Sequence, residues 1–202
     1  MFNTYFKRYF HLISKATPNK CAIKIETHCV EKDIVSSSIS ASRYKPFQQI
    51  PLFTQLFKIE EVEHIYATPT FITVSVKDHL DVINHLSPIE QSITNVYYTQ
   101  ILDEFLPDKK AHTINEPIAE IKTYTPFELE LSATIDEYIR PNLIEDGGNI
   151  RIGHYDESSG ILYVQLEGSC KTCTSSYITL KNNVENVLQY YHPEVKEVKE
   201  IE

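Results

Sequence analysis

The chain has 202 residues, a net charge of −9 and an ordinary apolar fraction of 42%, which suits one large or two small globular domains. It contains no run of about 18 apolar residues, so the sequence predicts no membrane-spanning helix. Residues 1–59 hold nine Lys/Arg against three Asp/Glu, whereas residues 60–202 hold ten against 25, and this acidic part is a poor candidate for nucleic-acid binding. Four cysteines and no signal-peptide pattern argue against a secreted disulfide framework and favour a reducing compartment.

The first 15 residues are basic and contain no acid. Phe2, Phe6, Tyr9 and Ile13 can share one helical face, as in an organellar transit peptide. The segment is rich in aromatic residues, however, where transit peptides are rich in Ser and Arg. We therefore expect residues 1–15 to be an N-terminal extension of a cytoplasmic protein, with the mitochondrial matrix or another organelle as the alternative if the segment is a transit peptide.

Residues 16–107 predict a small α+β domain. Alternating apolar residues predict strands at Cys21–Glu26, Val62–Ala67 and Phe71–Val76, the last two joined across residues 68–70. A helical stripe after Pro46 predicts a first helix, with apolar positions at Phe47, Ile50, Phe53, Leu56 and Phe57.

A second helix of this domain has an N-terminal capping pattern. Ser87 is the predicted N-cap, Pro88 takes the first helical position, and Glu90 completes a capping box. The helix is expected to end at Pro107. Residues 108–125 are polar and lack a sustained period, which predicts a linker.

Residues 126–202 predict a second small α+β domain. A helix over Pro126–Glu145 is expected to bend at Pro141 and to end at Gly147-Gly148. Further elements follow in the order strand, strand, helix and strand, at Asn149–Tyr155, Ile161–Glu167, Tyr177–Tyr191 and Val195–Ile201. The predicted fold class is therefore α+β, with two small α+β domains joined by a polar linker and a C-terminal domain of helix-strand-strand-helix-strand order.

Two cysteines, Cys170 and Cys173, lie between a predicted strand and a predicted helix. A helix N-terminus presents unpaired N–H groups and partial positive charge, which favours a thiolate over a thiol. A thiolate is the form that binds metal or attacks a disulfide. The spacing alone thus predicts a metal site or a redox site and leaves both open.

The chain resembles Nfu-type iron-sulfur cluster carriers over nearly its whole length. The C-terminal part, from about residue 130 to 202, resembles a NifU C-terminal-like domain through Ile139-Arg140-Pro141, Asp146-Gly147-Gly148, Val164–Cys170, Cys173, Ser175-Ser176, Thr179-Leu180-Lys181, Val184-Glu185 and Pro193-Glu194-Val195. The N-terminal part resembles the domain that precedes it in longer Nfu proteins, through Thr17-Pro18-Asn19, Pro51–Phe57 and Phe71–Val74. The family usually has proline where this chain has Thr174.

This resemblance implies a cluster-binding function for the cysteine pair. An iron-sulfur cluster is normally held by four thiolates, and Cys170 and Cys173 supply two, so the expected site is a 4Fe-4S cluster shared across a homodimer. The implied protein is a carrier or scaffold with no substrate turnover. Its implied partners are iron-sulfur assembly proteins and recipient apoproteins. In this interpretation Gly147 and Gly148 are structural, and Ser175 and Ser176 cap the helix after the thiols.

Three other functions fit parts of the pattern. A dimeric zinc site, or one completed by His154 or His192, would use the same thiols. A thioredoxin-like oxidoreductase also places two cysteines at a helix N-terminus, but only 29 residues follow Cys173, too few for the rest of that fold. A metal-free interaction adaptor would leave the cysteine pair unexplained. Cys21 and Cys29 are expected to be ordinary thiols, and no set of residues predicts an enzyme.

Overall fold

The computed structural model describes residues 10–29, 35, 37–45, 50–105, 124–171 and 174–201. In its first part, the front domain (residues 10–105), the described residues form one antiparallel sheet and two helices. Five strands lie in the order β1-β2-β5-β4-β3: β1 Phe10–Ala16, β2 Ala22–Cys29, β3 Ile39–Ser42, β4 Val62–Ala67 and β5 Phe71–Val76. Helices α1 (Pro51–Leu56) and α2 (Leu86–Phe105) pack against each other.

The predicted hairpin of the front domain is confirmed with its predicted limits. Strands β4 and β5 pair antiparallel, and Thr68 closes the turn between them because its hydroxyl accepts the backbone N–H of Phe71 at 3.0 Å. On one face of the sheet, alternate apolar residues of β2 and β5, such as Ile23, Ile25 and Val74, enter the front core together with Leu52 and Phe53 of α1.

The structure differs from the prediction at three places in this domain. Residues 10–16 form strand β1, paired with β2, so the front sheet begins within the stretch 1–15 that was expected to be an N-terminal extension. Ser87 is not an N-cap, because a 3₁₀ turn at Val82–His85 runs directly into α2 and the Asp81 side chain caps that turn by accepting the Ile83 N–H at 3.1 Å. The short strand β3 was not predicted.

The back domain (residues 124–201) has the predicted order of elements. Helices α3 (Pro126–Tyr138) and α4 (Arg140–Glu145) precede strands β6 (Gly148–Asp156) and β7 (Ile161–Gly168), helix α5 (Thr174–Tyr191) and strand β8 (Glu197–Glu200). Strands β6 and β7 are antiparallel, and β8 joins β7 in parallel. The helix predicted over Pro126–Glu145 divides at Ile139, because Pro141 lacks an N–H and its ring conflicts with a continuous helix.

The two domains have separate hydrophobic cores. One core consists of front-domain residues and the other of back-domain residues, including Leu131, Ile135, Leu162 and Leu188. The predicted α+β class with two domains is therefore confirmed. The predicted linker lies almost entirely outside the described residues, so its limits remain a prediction. None of the described helices is long and apolar enough to cross a membrane.

The buried carboxylate of Glu128 ties α3 to β6. One of its oxygens accepts the Thr125 N–H at 2.8 Å and completes a capping box, while the other accepts the Tyr155 N–H at 2.9 Å. Glu128→Ala would leave both donors without this partner. We expect it to lower the free energy of unfolding by about 2 kcal/mol, measured by urea denaturation.

A matched control for this prediction is Glu130→Ala, two residues along the same helix. Glu130 is exposed, and alanine is at least as good a helix former as glutamate. Its stability should stay close to that of the unmodified chain. Equal stability of the Glu128 and Glu130 variants would refute the role given to the Glu128 carboxylate.

Candidate metal centre

Cys170 lies in the strand-to-helix connection that the sequence predicts. Strand β7 ends at Gly168, a 3₁₀ turn covers Ser169–Lys171, and α5 begins at Thr174. Residue Cys170 is 8% exposed and packs in the core of the back domain. Cys173 lies outside the described residues, as do the side chains of Ser175 and Ser176, so the pairing of the two thiols and the predicted helix cap remain predictions.

Two glycine turns hold the Cys170 turn in place. Gly147 has a positive φ of 77°, which glycine adopts without a steric penalty, and its carbonyl accepts the Ser169 N–H at 3.2 Å. A Cβ on Gly148 would lie 2.2 Å from the Cys170 Sγ. The absence of a side chain at Gly148 therefore leaves the space that the Cys170 sulfur occupies.

The second of these turns is at Gly168, directly before Ser169. Its φ is 66°, and a Cβ there would lie 2.3 Å from the carbonyl oxygen of Gly147 and 3.1 Å from the Tyr66 ring. Ser169 adds a hydrogen bond from its hydroxyl to the Asp146 carbonyl at 2.7 Å. The chain segments at 146–148 and 168–170 are thus in direct backbone contact, which sets the position of Cys170.

Burial decides the ionisation of the Cys170 thiol in this arrangement. It raises the pKa of Cys170 to about 11, and the negative charge of Asp146 acts in the same direction. Hydrogen bonds from the Ser169 side chain and the Asn149 backbone lower this pKa, but by less. The expectation that the helix N-terminus favours a thiolate at Cys170 is therefore wrong for this conformation, because desolvation of the charged form outweighs the local donors.

The front domain contacts the turn at 144–147 through two side chains of its sheet. Thr73 donates its hydroxyl to the Gly147 carbonyl at 2.6 Å. The Lys24 ammonium donates to the Ile144 carbonyl at 2.9 Å and to the Glu145 carbonyl at 3.4 Å. These are the last carbonyls of α4, where a cation is favourable, so Lys24 caps a back-domain helix from the front domain.

Two further front-domain residues contact the Cys170 side of the same junction. The Asn19 amide donates to the Ser169 carbonyl at 3.0 Å, next to the cysteine itself. The Tyr66 hydroxyl accepts the Asn149 amide at 3.1 Å. We call Asn19, Lys24, Tyr66 and Thr73 together the covering face of the front domain.

The covering face is the part of the site that sequence reasoning missed. Lys24 alternates with Ile23 and Ile25, and Thr73 alternates with Ile72 and Val74, which is the usual pattern of a strand with one exposed face. In the structure Lys24 is 6% and Thr73 1% exposed. The alternating pattern does not indicate that the sheet face that bears Lys24 and Thr73 is buried as well as the face toward the front core. The weak signal was Asn19, which belongs to the segment that carries the front-domain resemblance.

The other candidate ligands have different surroundings. Cys21 is buried in the front core and its Sγ donates to the Asp78 carbonyl at 3.1 Å, which agrees with an ordinary thiol, whereas the Cys29 side chain lies outside the described part of the chain. His154 stacks on the Tyr163 ring, and His192 lies 2.7 Å from the Thr134 hydroxyl. Within the described ranges, no group of three or more His, Cys, Asp or Glu side chains could hold a metal ion.

Comparison with known families gives two matches along the chain. Residues 132–199 match the NifU-like domain, and residues 12–100 match the N-terminal domain of the scaffold protein Nfu/NifU. The second match includes most of β1.

Similar proteins occur in animals and fungi. The NFU1 iron-sulfur cluster scaffold homolog, mitochondrial, of Homo sapiens is 32% identical over 198 residues, covering 96% of this chain and 73% of that protein. A NifU-like protein of Schizosaccharomyces pombe is 31% identical, with coverage of 93% and 71%. The NifU-like protein, mitochondrial, of Saccharomyces cerevisiae is 31% identical, with coverage of 96% and 82%.

Proposed function

This chain belongs to the Nfu family of iron-sulfur cluster scaffold proteins, and on that premise we propose that it carries a 4Fe-4S cluster between iron-sulfur assembly proteins and recipient apoproteins. The proposed ligands are Cys170 and Cys173. The observation that carries the proposal is the position of Cys170 in the turn between β7 and α5, packed on the side-chain-free Gly148. The chain binds and releases the cluster as cargo and turns over no substrate.

The number of thiols per chain supports a shared site. A cluster normally takes four thiolates, and each chain contributes the pair Cys170 and Cys173. Two chains together complete the set, so the holo protein is a homodimer with the cluster between its protomers. Cys21 is an unsuitable third ligand, because it is buried in the front core.

The location that we propose is organellar. The human and budding-yeast relatives are both named as mitochondrial proteins, which favours the mitochondrial alternative over the cytoplasmic prediction. Residues 1–9 lie outside the described part of the chain. Imaging of the chain with a C-terminal fluorescent tag, in its own host cell, distinguishes the two compartments.

Anaerobic reconstitution with iron and sulfide tests the cluster assignment. A 4Fe-4S protein becomes brown, absorbs in the visible range, and holds about four irons per two chains, as expected for one cluster with four thiolate ligands. A colourless product that binds zinc with the same stoichiometry would favour the zinc site instead. No bound metal with either treatment would leave the adaptor function.

Cluster binding and dimerisation should be coupled. The cluster binds the dimer and not the monomer, so mass action shifts association in favour of the dimer when the cluster is present. We expect sedimentation under anaerobic conditions to show a mostly monomeric apo protein at micromolar concentration and a dimeric holo protein. Removal of the iron with a chelator should return the dimer to monomer.

One result would contradict this coupling. A holo monomer that carries a full cluster would require other residues of the same chain to complete the ligand set. In that case Cys29 or a histidine would have to be tested as a ligand.

A further inference from the structure

Ser169, the residue before Cys170, uses all three of its hydrogen-bonding groups. Its N–H donates to the Gly147 carbonyl at 3.2 Å, and its hydroxyl donates to the Asp146 carbonyl at 2.7 Å. Its own carbonyl accepts the Asn19 amide of the front domain at 3.0 Å. That carbonyl belongs to the peptide bond that joins Ser169 to Cys170, so the hydrogen bond from Asn19 restrains the backbone of the cysteine.

Thr73 of the front domain acts on the same segment through Gly147. Its hydroxyl donates to the Gly147 carbonyl at 2.6 Å, and the same oxygen accepts the Ser169 N–H. A carbonyl oxygen has two lone pairs and can accept both donors. Thr73 therefore fixes the acceptor of the Ser169 N–H, while Asn19 fixes the Ser169 carbonyl.

Asn19 and Thr73 are held firmly by their own domain. Asn19 is 2% and Thr73 1% exposed. The side-chain oxygen of Asn19 accepts the Cys21 N–H at 2.9 Å, and its backbone carbonyl accepts the Ala22 N–H at 2.9 Å. Thr73 lies in β5, the central strand of the front sheet. Both donors to the back domain therefore have positions that the front domain sets.

These donors act on the backbone of the cysteine turn and not on the thiol. The Cys170 sulfur packs within the back-domain core beside Gly148. The direction of a side chain follows from the backbone that carries it, and the backbone on the N-terminal side of Cys170 is the part that the front domain restrains. The front domain can thus influence the cysteine without contacting its sulfur.

We propose that Asn19 and Thr73 are positioning residues for the cluster ligand Cys170. This inference rests on the proposed function, in which Cys170 binds the cluster. Hydrogen bonds that orient a metal ligand are part of a metal site, and their loss usually lowers metal affinity by about 10- to 100-fold. The front domain then contributes to the site without supplying a ligand.

The first test measures cluster release from the full chain after reconstitution with iron and sulfide. A chelator is added under anaerobic conditions, and the decay of the visible absorption gives the release rate. Thr73→Val keeps the side-chain volume and removes the donor to Gly147, so we expect release about tenfold faster than from the unmodified chain. Asn19→Ser keeps an acceptor for the Cys21 N–H but is too short to reach the Ser169 carbonyl, and it should have a similar effect.

Two control variants separate positioning from a loss of front-domain stability. Thr73→Ser keeps the hydroxyl donor and should release the cluster at the unmodified rate. Thr68→Val removes another buried threonine hydroxyl of the front domain, which bonds to the N–H and carbonyl of Phe71 within the β4–β5 turn. It should lower the stability of the front domain and leave the release rate unchanged at a temperature where the chain is folded.

The second test contains no iron. Amide hydrogen exchange of the metal-free chain, followed by NMR, reports the protection of the Ser169 N–H. We expect exchange about tenfold faster in Thr73→Val and in Asn19→Ser, because the turn opens more often without these donors. Thr73→Ser and Thr68→Val should exchange at the unmodified rate.

Positioning is refuted if Thr73→Val and Asn19→Ser keep their circular dichroism spectra and release the cluster at the unmodified rate, whatever their exchange rates. It is also refuted if Thr68→Val accelerates release and exchange as much as they do, since lost front-domain stability would then explain the effect. Should Asn19→Ser not fold, Thr73→Val and its Thr73→Ser control decide the question.

The two tests distinguish failure of this proposal from failure of the carrier function. An unmodified chain that forms no cluster on reconstitution would refute the carrier function, and the exchange rates would then decide whether Asn19 and Thr73 position the cysteine turn. Cluster formation with the same release rate in every variant would refute the positioning role and keep the carrier function.

Discussion

Replacement of Cys170 or Cys173 by serine is expected to abolish cluster binding while the chain stays folded. A serine hydroxyl is not deprotonated at neutral pH and does not replace a thiolate as an iron ligand. The change is small in volume, and at Cys170 it should lower the free energy of unfolding by about 1 kcal/mol. After anaerobic reconstitution, the visible absorption and the iron content of either variant should fall to background.

Cys21→Ser and Cys29→Ser are the controls for this result. Both should reconstitute with the absorption spectrum of the unmodified chain. Cys21→Ser should lose some stability, because its sulfur is buried in the front core, but the cluster content per folded chain should not change. Wild-type absorption in a Cys170→Ser protein would show that the ligand assignment is wrong.

Gly148→Ala is expected to have the second-largest effect on the site. The new Cβ would lie 2.2 Å from the Cys170 Sγ and 3.1 Å from the Glu167 carbonyl, so the sulfur or the backbone must move. Gly148 is paired with Gly168 at the start of the β6–β7 ladder, which restrains the backbone. We expect cluster content to fall by more than half and the free energy of unfolding to fall by about 2 kcal/mol, as is usual for overpacking.

Gly153→Ala separates loss of the site from loss of stability. Gly153 lies on the same strand, and a Cβ there would meet Ile201 and the Tyr163 carbonyl, away from the cysteine turn. This variant should also be less stable, since its neighbours are tight. It should nevertheless bind the cluster normally at a temperature where it is folded. If both glycine variants bind the cluster equally well, Gly148 does not position the cysteine.

Local sequence patterns predicted the structure correctly where residues close together in the chain determine it. The β4–β5 hairpin formed within its predicted limits, because alternation and a Thr-Pro-Thr turn act over a few residues. The division of the helix near Pro141 follows from the missing N–H and the ring of proline. The placement of Cys170 between a strand and a helix was likewise predictable, because both flanking periods are visible in the sequence.

Local patterns failed where a distant segment competes. The helical spacing through Ile13 was overridden because residues 10–16 pair with β2, and such pairing supplies partners for every second backbone group of the segment. The capping pattern at Ser87 was overridden because a 3₁₀ turn brings the chain into α2 already in a helical conformation. In both cases the local pattern is present in the sequence, but contacts with residues outside that pattern determined the structure.

The sequence by itself determined the class of the protein, the order of elements in the back domain and the residues proposed to bind the cluster. The tertiary structure alone decided that Lys24 and Thr73 are buried and that the front domain donates hydrogen bonds to the carbonyls of Ile144, Gly147 and Ser169. It also decided that the pKa of the Cys170 thiol rises, because burial in the core of the back domain removes the water that would stabilise a thiolate. A polar residue on a strand has the same local sequence pattern whether it faces water or a second domain. Only the tertiary structure shows which of these it faces.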